Sequence, residues 1–171
     1  NIASELATDL SCNGSADGTI TITASGGTGT LNYSIDSGTT YANTSGSFAG
    51  LSAGTYGVVV QDGNGCTLVG SQLDVNEPGA LTGVISSTLE SSAGASDCTA
   101  MITVSGGTSP YFYVWSTNPV QNLATATGLS SGVYSVAVTD ANGCTYNDSV
   151  SVGLEIGLEP LSHTLSVNVE E

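Results

Sequence analysis

The sequence predicts an all-β protein, built as two tandem immunoglobulin-like β-sandwich repeats followed by one extra strand at the C-terminus. Three observations predict it. The apolar residues fall in short alternating runs punctuated by 23 glycines, the pattern of short strands joined by tight turns. The stretch Gly50–Thr67, GLSAGTYGVVVQDGNGCT, returns without a gap as Gly128–Thr145, GLSSGVYSVAVTDANGCT, and Ile20–Ile35 has its counterpart in Met101–Ser116. Self-similarity of this kind marks a tandem array of one structural unit. Finally, no segment sustains an apolar 3.6-residue period over three turns, so essentially no helix is expected.

The strands follow from alternation. In the first repeat Ile20 and Ile22 alternate with Thr21 and Thr23, and Tyr56, Val58 and Val60 alternate with Gly57 and Val59. The second repeats this with Tyr134, Val136 and Val138 against Ser135, Ala137 and Thr139. Such segments read as half-buried antiparallel strands. Gly26-Gly27 and Gly106-Gly107 supply the positive-φ positions of a hairpin, and Asp62–Gly65 and Asp140–Gly143 are turns ahead of the second cysteine. With about seven strands per copy, each repeat resembles an immunoglobulin-type sandwich.

Glu77-Pro78 and Glu159-Pro160 mark the joints, because proline cannot donate to a ladder and stiffens a junction. The expected division is 1–78, 79–158 and 159–171. In the tail Leu165, Val167 and Val169 alternate. It reads as the first strand of a further repeat, or as a donor strand completing the sheet of an identical subunit.

Composition excludes several functions. The chain of 171 residues has no Lys or Arg against 15 Asp plus Glu, a formal net charge of −15. Nucleic acid and anionic membrane surfaces are held by cations this chain does not possess. No apolar stretch approaches the ~20 residues of a membrane-spanning helix, so no membrane insertion is expected. Trypsin-like proteases find no cleavage site.

Cys12, Cys66, Cys98 and Cys144 are dispersed, with no Cys-x-x-Cys pair, which favours disulfides over zinc and an oxidising, extracellular compartment. Each copy holds one early and one late cysteine. Of the three possible connectivities, pairing within each copy (Cys12 with Cys66, Cys98 with Cys144) is the simplest.

No catalytic or cofactor site is expected. His163 is the only imidazole and no Gly-x-Ser-x-Gly elbow accompanies it. Asp62, Asn64, Asp140 and Asn142 are weak candidates for a surface Ca²⁺, but Asx residues beside glycine are what tight turns use, and Ca²⁺ loops carry more carboxylates. Tyr111, Phe112, Tyr113 and Trp115 form the one aromatic cluster. Alternation sends Tyr111, Tyr113 and Trp115 to one face, as core residues or as a contact for a ligand or subunit, and Phe112 and Val114 to the other.

The order Cys12-Asn13-Gly14, Asp17-Gly18-Thr19-Ile20, Gly26-Gly27, Tyr33, Gly50-Leu51, Gly54-Thr55-Tyr56 and Asp62-x-Asn64-Gly65-Cys66 resembles the SprB repeat. The second copy keeps Cys98, Gly106-Gly107, Tyr113, Gly128-Leu129, Gly132, Tyr134 and Asp140-x-Asn142-Gly143-Cys144, without the Asn-Gly after its first cysteine. The resemblance covers roughly residues 8–152. It implies a non-catalytic module of a long Bacteroidota cell-surface adhesin or stalk exported by type IX secretion. Its partners would be neighbouring repeats and a surface glycan or protein ligand. It also implies an O-glycosylation site at Ser149, within Asp148-Ser149-Val150. The rival expectation is a self-assembling extracellular filament of identical subunits joined through the tail.

Overall fold

The computed structural model describes residues 1–92 and 94–153. The expected tail strand, Pro160 and His163 lie outside the described residues. Twelve strands run in chain order: β1 (Ile2–Thr8), β2 (Gly18–Ala24), β3 (Asn32–Ser34), β4 (Ser47–Leu51), β5 (Gly54–Gln61), β6 (Thr67–Val75), β7 (Thr82–Ser87), β8 (Cys98–Ser105), β9 (Phe112–Trp115), β10 (Thr125–Leu129), β11 (Gly132–Thr139) and β12 (Thr145–Val152). Among the described residues none is helical.

The strands form four three-stranded antiparallel sheets, two to a sandwich. In the first module β1-β2-β4 faces β3-β5-β6, and in the second β7-β8-β10 faces β9-β11-β12. This is the strand order of a constant-type immunoglobulin sandwich lacking its fourth strand, D. Each module therefore has six strands where about seven were expected. In the first module the place of the missing strand is taken by side-chain-capped turns. Asp36 accepts from Ser34 Oγ (2.6 Å), the Thr39 and Thr40 amides (3.0 and 2.9 Å) and Thr40 Oγ1 (2.7 Å). Asn43 Oδ1 does the same for the amides of Ser45 and Gly46 (2.9 and 2.8 Å). Side chains that bind their own neighbouring amides compete with a sheet ladder, and here they win.

Alternation places the core. Ile20 and Ile22 from β2 meet Tyr33, Val58 and Val60 from the facing sheet, with Leu10 and Val75 closing one end. In the second module Ala100, Ile102, Trp115, Val136 and Val138 do the same. Burying an aliphatic side chain of this kind stabilises by about 1.5–3 kcal/mol. Val59 departs from the pattern: although its neighbours face inward, it is only 6% exposed. The Ser37-Gly38 turn lies over it, held by the Ser37 amide on the Gly57 carbonyl (2.9 Å).

Two local devices recur. Tyr56 Oη donates to the Ser52 carbonyl (2.8 Å), and Tyr134 Oη to that of Ser130 (3.1 Å). Each pins the crossing from one sheet to the other, the tyrosine corner of immunoglobulin sandwiches. The paired glycines serve a different turn from the hairpin expected. Because β2 pairs with β1 and β4 and not with β3, Gly26-Gly27 carries the chain between sheets. Gly27 and Gly107 have φ of +75° and +59°, and a Cβ there would stand 2.8 Å from Asp62 Cβ or 2.7 Å from Asp140 Oδ2. Backbone and carboxylate can approach only where the side chain is missing.

Candidate functional site

A sandwich of this kind has two poles, and its loops decide what each pole can do. At one pole of the first module lie the β1–β2 loop, Leu10–Asp17, and the end of β6. At the opposite pole lie Asn1, Gly26-Gly27 and the Asp62–Cys66 turn. The corresponding turn of the second module, Asp140–Cys144, sits directly against the β1–β2 loop of the first. Cys12 and Cys144 are joined by a disulfide, with Cα atoms 5.8 Å apart.

This corrects the expected pairing. Cys66 is free and exposed, and Cys98 is free and buried. The reason is the length of β5. Cys12 and Cys66 stand at opposite ends of a strand of eight residues. At about 3.3 Å per residue that separates them by roughly 25 Å. A disulfide needs Cα atoms within about 7 Å.

Nor is Cys98 the counterpart of Cys12. Ser11 donates through its amide and hydroxyl to Asp17 (3.1 and 2.5 Å), and Ser91 does the same to Asp97 (3.2 and 2.6 Å). The Ser15 amide reaches the Cys12 carbonyl as the Ala95 amide reaches that of Ser92. Ser92 therefore occupies the place of Cys12. Cys98 takes the place of Gly18, each paired with the last residue of its neighbouring strand, Leu129 and Leu51. At 0% exposure Cys98 is a core residue whose thiol pKa is raised by burial.

Further bonds brace the joint. Asn142 Nδ2 donates to the Ser11 carbonyl (2.9 Å) across the two modules. The linker is tied to the same loop, with Asn13 Nδ2 on the Pro78 carbonyl (3.1 Å) and the Gly14 amide on Glu77 Oε2 (2.7 Å). Leu81 lies beside Gly107 and Asp140, and Asp140 is only 2% exposed.

With no Lys or Arg in the chain, carboxylates are satisfied by amides and hydroxyls. Asp62 Oδ1 accepts from the amides of Asn64 (3.0 Å) and Cys66 (2.9 Å), and Oδ2 from that of Thr28 (3.0 Å). Asp140 repeats this with Asn142, Cys144 (both 2.9 Å) and Thr108 (2.8 Å). These residues are turn caps with their oxygens engaged. Among the described residues no cluster of three metal-ligating side chains occurs. The melting temperature is expected to be the same in EDTA as in millimolar Ca²⁺, and a rise with Ca²⁺ in calorimetry would contradict this.

The same bonds depress carboxyl pKa values. The Ser11 and Ser15 hydroxyls hold Asp17 down to about 2, and the Ser34 hydroxyl holds Asp36 lower still. Asp62 is lowered by the Thr28 and Cys66 amides, and Asp97 by the Ser91 hydroxyl. Burial alone pushes Asp140 up, and the Thr108, Cys144, Asn142 and Gly143 amides together outweigh it. A carboxyl depressed on folding contributes stability above its unfolded pKa and loses it as pH falls. For Asp17 the window runs from 3.8 down to about 2. Asp17→Asn should therefore lower the melting temperature at pH 7, and the deficit should shrink through that window in circular-dichroism melts. A deficit independent of pH would contradict the assignment.

The aromatic cluster divides as alternation requires, and the face of Tyr111, Tyr113 and Trp115 is the inner one. Trp115 is 1% exposed, with Tyr111 and Tyr113 half-buried against the core. A contact role for Trp115 is thereby corrected to a packing one, since an enclosed indole cannot meet a ligand. Phe112 and Val114 are the exposed pair. Ser149 is exposed on β12, its amide on Asp148 Oδ1 (2.8 Å).

The sequence model of the SprB repeat matches residues 4–40 and 93–120. No curated protein matches the chain. Among solved structures, the C-terminal 282-residue fragment of intimin, in complex with the intimin-binding domain of the translocated intimin receptor, is similar over 90% of this chain and 64% of its own. Identity there is 14% and the TM-score 0.47. An amphioxus IgVJ-C2 molecule is similar at 13% identity and a TM-score of 0.37, covering 80% of this chain and 95% of that one. The BSP domain of a biofilm-associated protein is similar at 16% identity and a TM-score of 0.30, covering 91% and 30%. The chain thus spans less than two thirds of the intimin fragment.

Proposed function

We propose that this chain, two segments of which match the SprB repeat, is a non-catalytic stalk or spacer of a cell-surface adhesin. Its modules hold a fixed end-to-end geometry outside the cell. The observation that carries the reading is the joint. One disulfide, a cross-module hydrogen bond and a linker tied to the neighbouring loop resist bending where a flexible tether would carry none of them. Such a stalk would keep its partners at the two ends, as neighbouring modules on one side and a surface glycan or protein ligand reached through a tip on the other. Export by type IX secretion and glycosylation at Ser149 are parts of the same proposal. The rival reading, a filament joined through residues 159–171, rests on residues outside those described, and no observation favours it.

Small-angle scattering of the oxidised chain tests the reading. A compact protein of this length has a radius of gyration of about 16 Å. The stacked modules should give a clearly larger value and the profile of a rod. A compact value, or the profile of two bodies on a flexible tether, would overturn it.

A further inference from the structure

The first module carries at its free pole the same turn that the second module uses to form the joint. The Asp62 carboxylate binds the amides of Asn64, Cys66 and Thr28 just as Asp140 binds those of Asn142, Cys144 and Thr108. The backbone closes alike, with Asp62 N on the Cys66 carbonyl (2.9 Å) and Asp140 N on that of Cys144 (3.0 Å). The difference lies in what each turn meets. Asn142 donates to a neighbouring loop and Cys144 is bonded to it. Asn64 is exposed and its carboxamide makes no hydrogen bond among the described residues, and Cys66 is an exposed thiol. Beside them opens a cavity of about 150 Å³ lined by Asn1, Leu31, Val60, Asp62, Cys66 and Leu68. In the second module Leu81, the counterpart of Asn1, lies against Gly107.

We propose that the pole bearing Asn64 and Cys66 is the receiving half of a second joint. Its occupant is the opposite pole of another module of this kind, presenting a cysteine at the position of Cys12. The continuity with the joint already formed makes the argument. The occupied pole shows that this turn accepts a Ser-Cys-Asn loop through one carbonyl and one sulfur, and the free pole offers the same donor and thiol already placed. In this chain Cys12 is spent on Cys144 and its counterpart is Ser92, so the second module lacks the sulfur to continue the series. Closing the joint joins two thiols and releases two protons and two electrons. A small-molecule disulfide such as oxidised glutathione accepts them. The Cys66 thiolate displaces one glutathione thiol to form a mixed disulfide, and the incoming cysteine displaces the second.

The inference rests on the stalk reading, and its test fails separately from it. Ser92→Cys in the full chain should yield head-to-tail disulfide-linked oligomers in oxidised glutathione, crosslinked between position 92 of one copy and Cys66 of the next. Coupling should run at least tenfold faster than for Val84→Cys, an exposed position in the middle of β7. Adding Cys66→Ser should abolish the ladder. Adding Asn64→Ala, which touches no cysteine, should slow coupling severalfold. Equal rates for the two cysteine variants, a ladder that survives Cys66→Ser, or indifference to Asn64→Ala would each overturn the proposal. In all of these cases rod-like scattering of the unmodified chain would leave the stalk reading intact.

Discussion

Replacing Cys144 by Ser should cost more stability than any other change at the surface of this protein. The bridge spans a sequence separation of 132. In the chain-entropy model a closed loop of that length contributes about 5 kcal/mol when the whole chain unfolds together. The contribution is coupled to the joint. With the bridge in place neither module can unfold without leaving a loop anchored on the other, so oxidised chain should melt in one transition. Cys144→Ser, or reduction, should lower the midpoint and separate the melting of the two modules in calorimetry. Cys66→Ser removes an exposed thiol that is not bonded within the chain and should leave the transition where it was. If Cys66→Ser destabilises the chain and Cys144→Ser does not, the pairing described here is contradicted.

Trp115→Ala should be the most damaging change in the second module. The indole is 1% exposed, sits opposite Val136 in the β9–β11 pairing, and donates through Nε1 to the Leu123 carbonyl (2.8 Å). Truncating a buried aromatic of this size costs about 3–5 kcal/mol through lost burial and the cavity left behind. The Leu123 carbonyl would also lose its donor. Because the first module has its own core, the loss should fall on one of two transitions in the reduced protein. It is read by far-UV circular dichroism, since the substitution removes the only tryptophan. A loss below 1 kcal/mol, or equal damage to both transitions, would contradict the separation of the two cores.

Much of this architecture is written locally in the sequence. Ile20, Ile22, Val58 and Val60 lie in the core because alternation on a strand has a period of two, and Asp62–Gly65 turns because an Asx side chain binds the amides that follow it. Three things were not legible from such signals. Counting one early and one late cysteine per copy says nothing about which pole each occupies, and β5 holds Cys12 and Cys66 far apart. The clue lay beside them: aligning Ser11 and Asp17 with Ser91 and Asp97 sets Cys12 against Ser92, and Cys98 against Gly18. Alternation also divided the aromatic cluster correctly between two faces, but which face is inner is decided by the sheet opposite. The missing strand was hidden because Asp36 and Asn43 spend their side chains on nearby amides, a competition settled only when both alternatives can be compared.

The most direct test of the account is the disulfide map of the oxidised protein, by mass spectrometry after cleavage at acidic residues and aromatics, since trypsin has no site. The oxidised protein should yield one crosslinked peptide pair joining Cys12 to Cys144. Cys66 should be alkylated in the native state, and Cys98 only after denaturation. A crosslink joining Cys12 to Cys66, or Cys98 to Cys144, would mean that each module is closed on itself, and the rigid joint would have lost its bond.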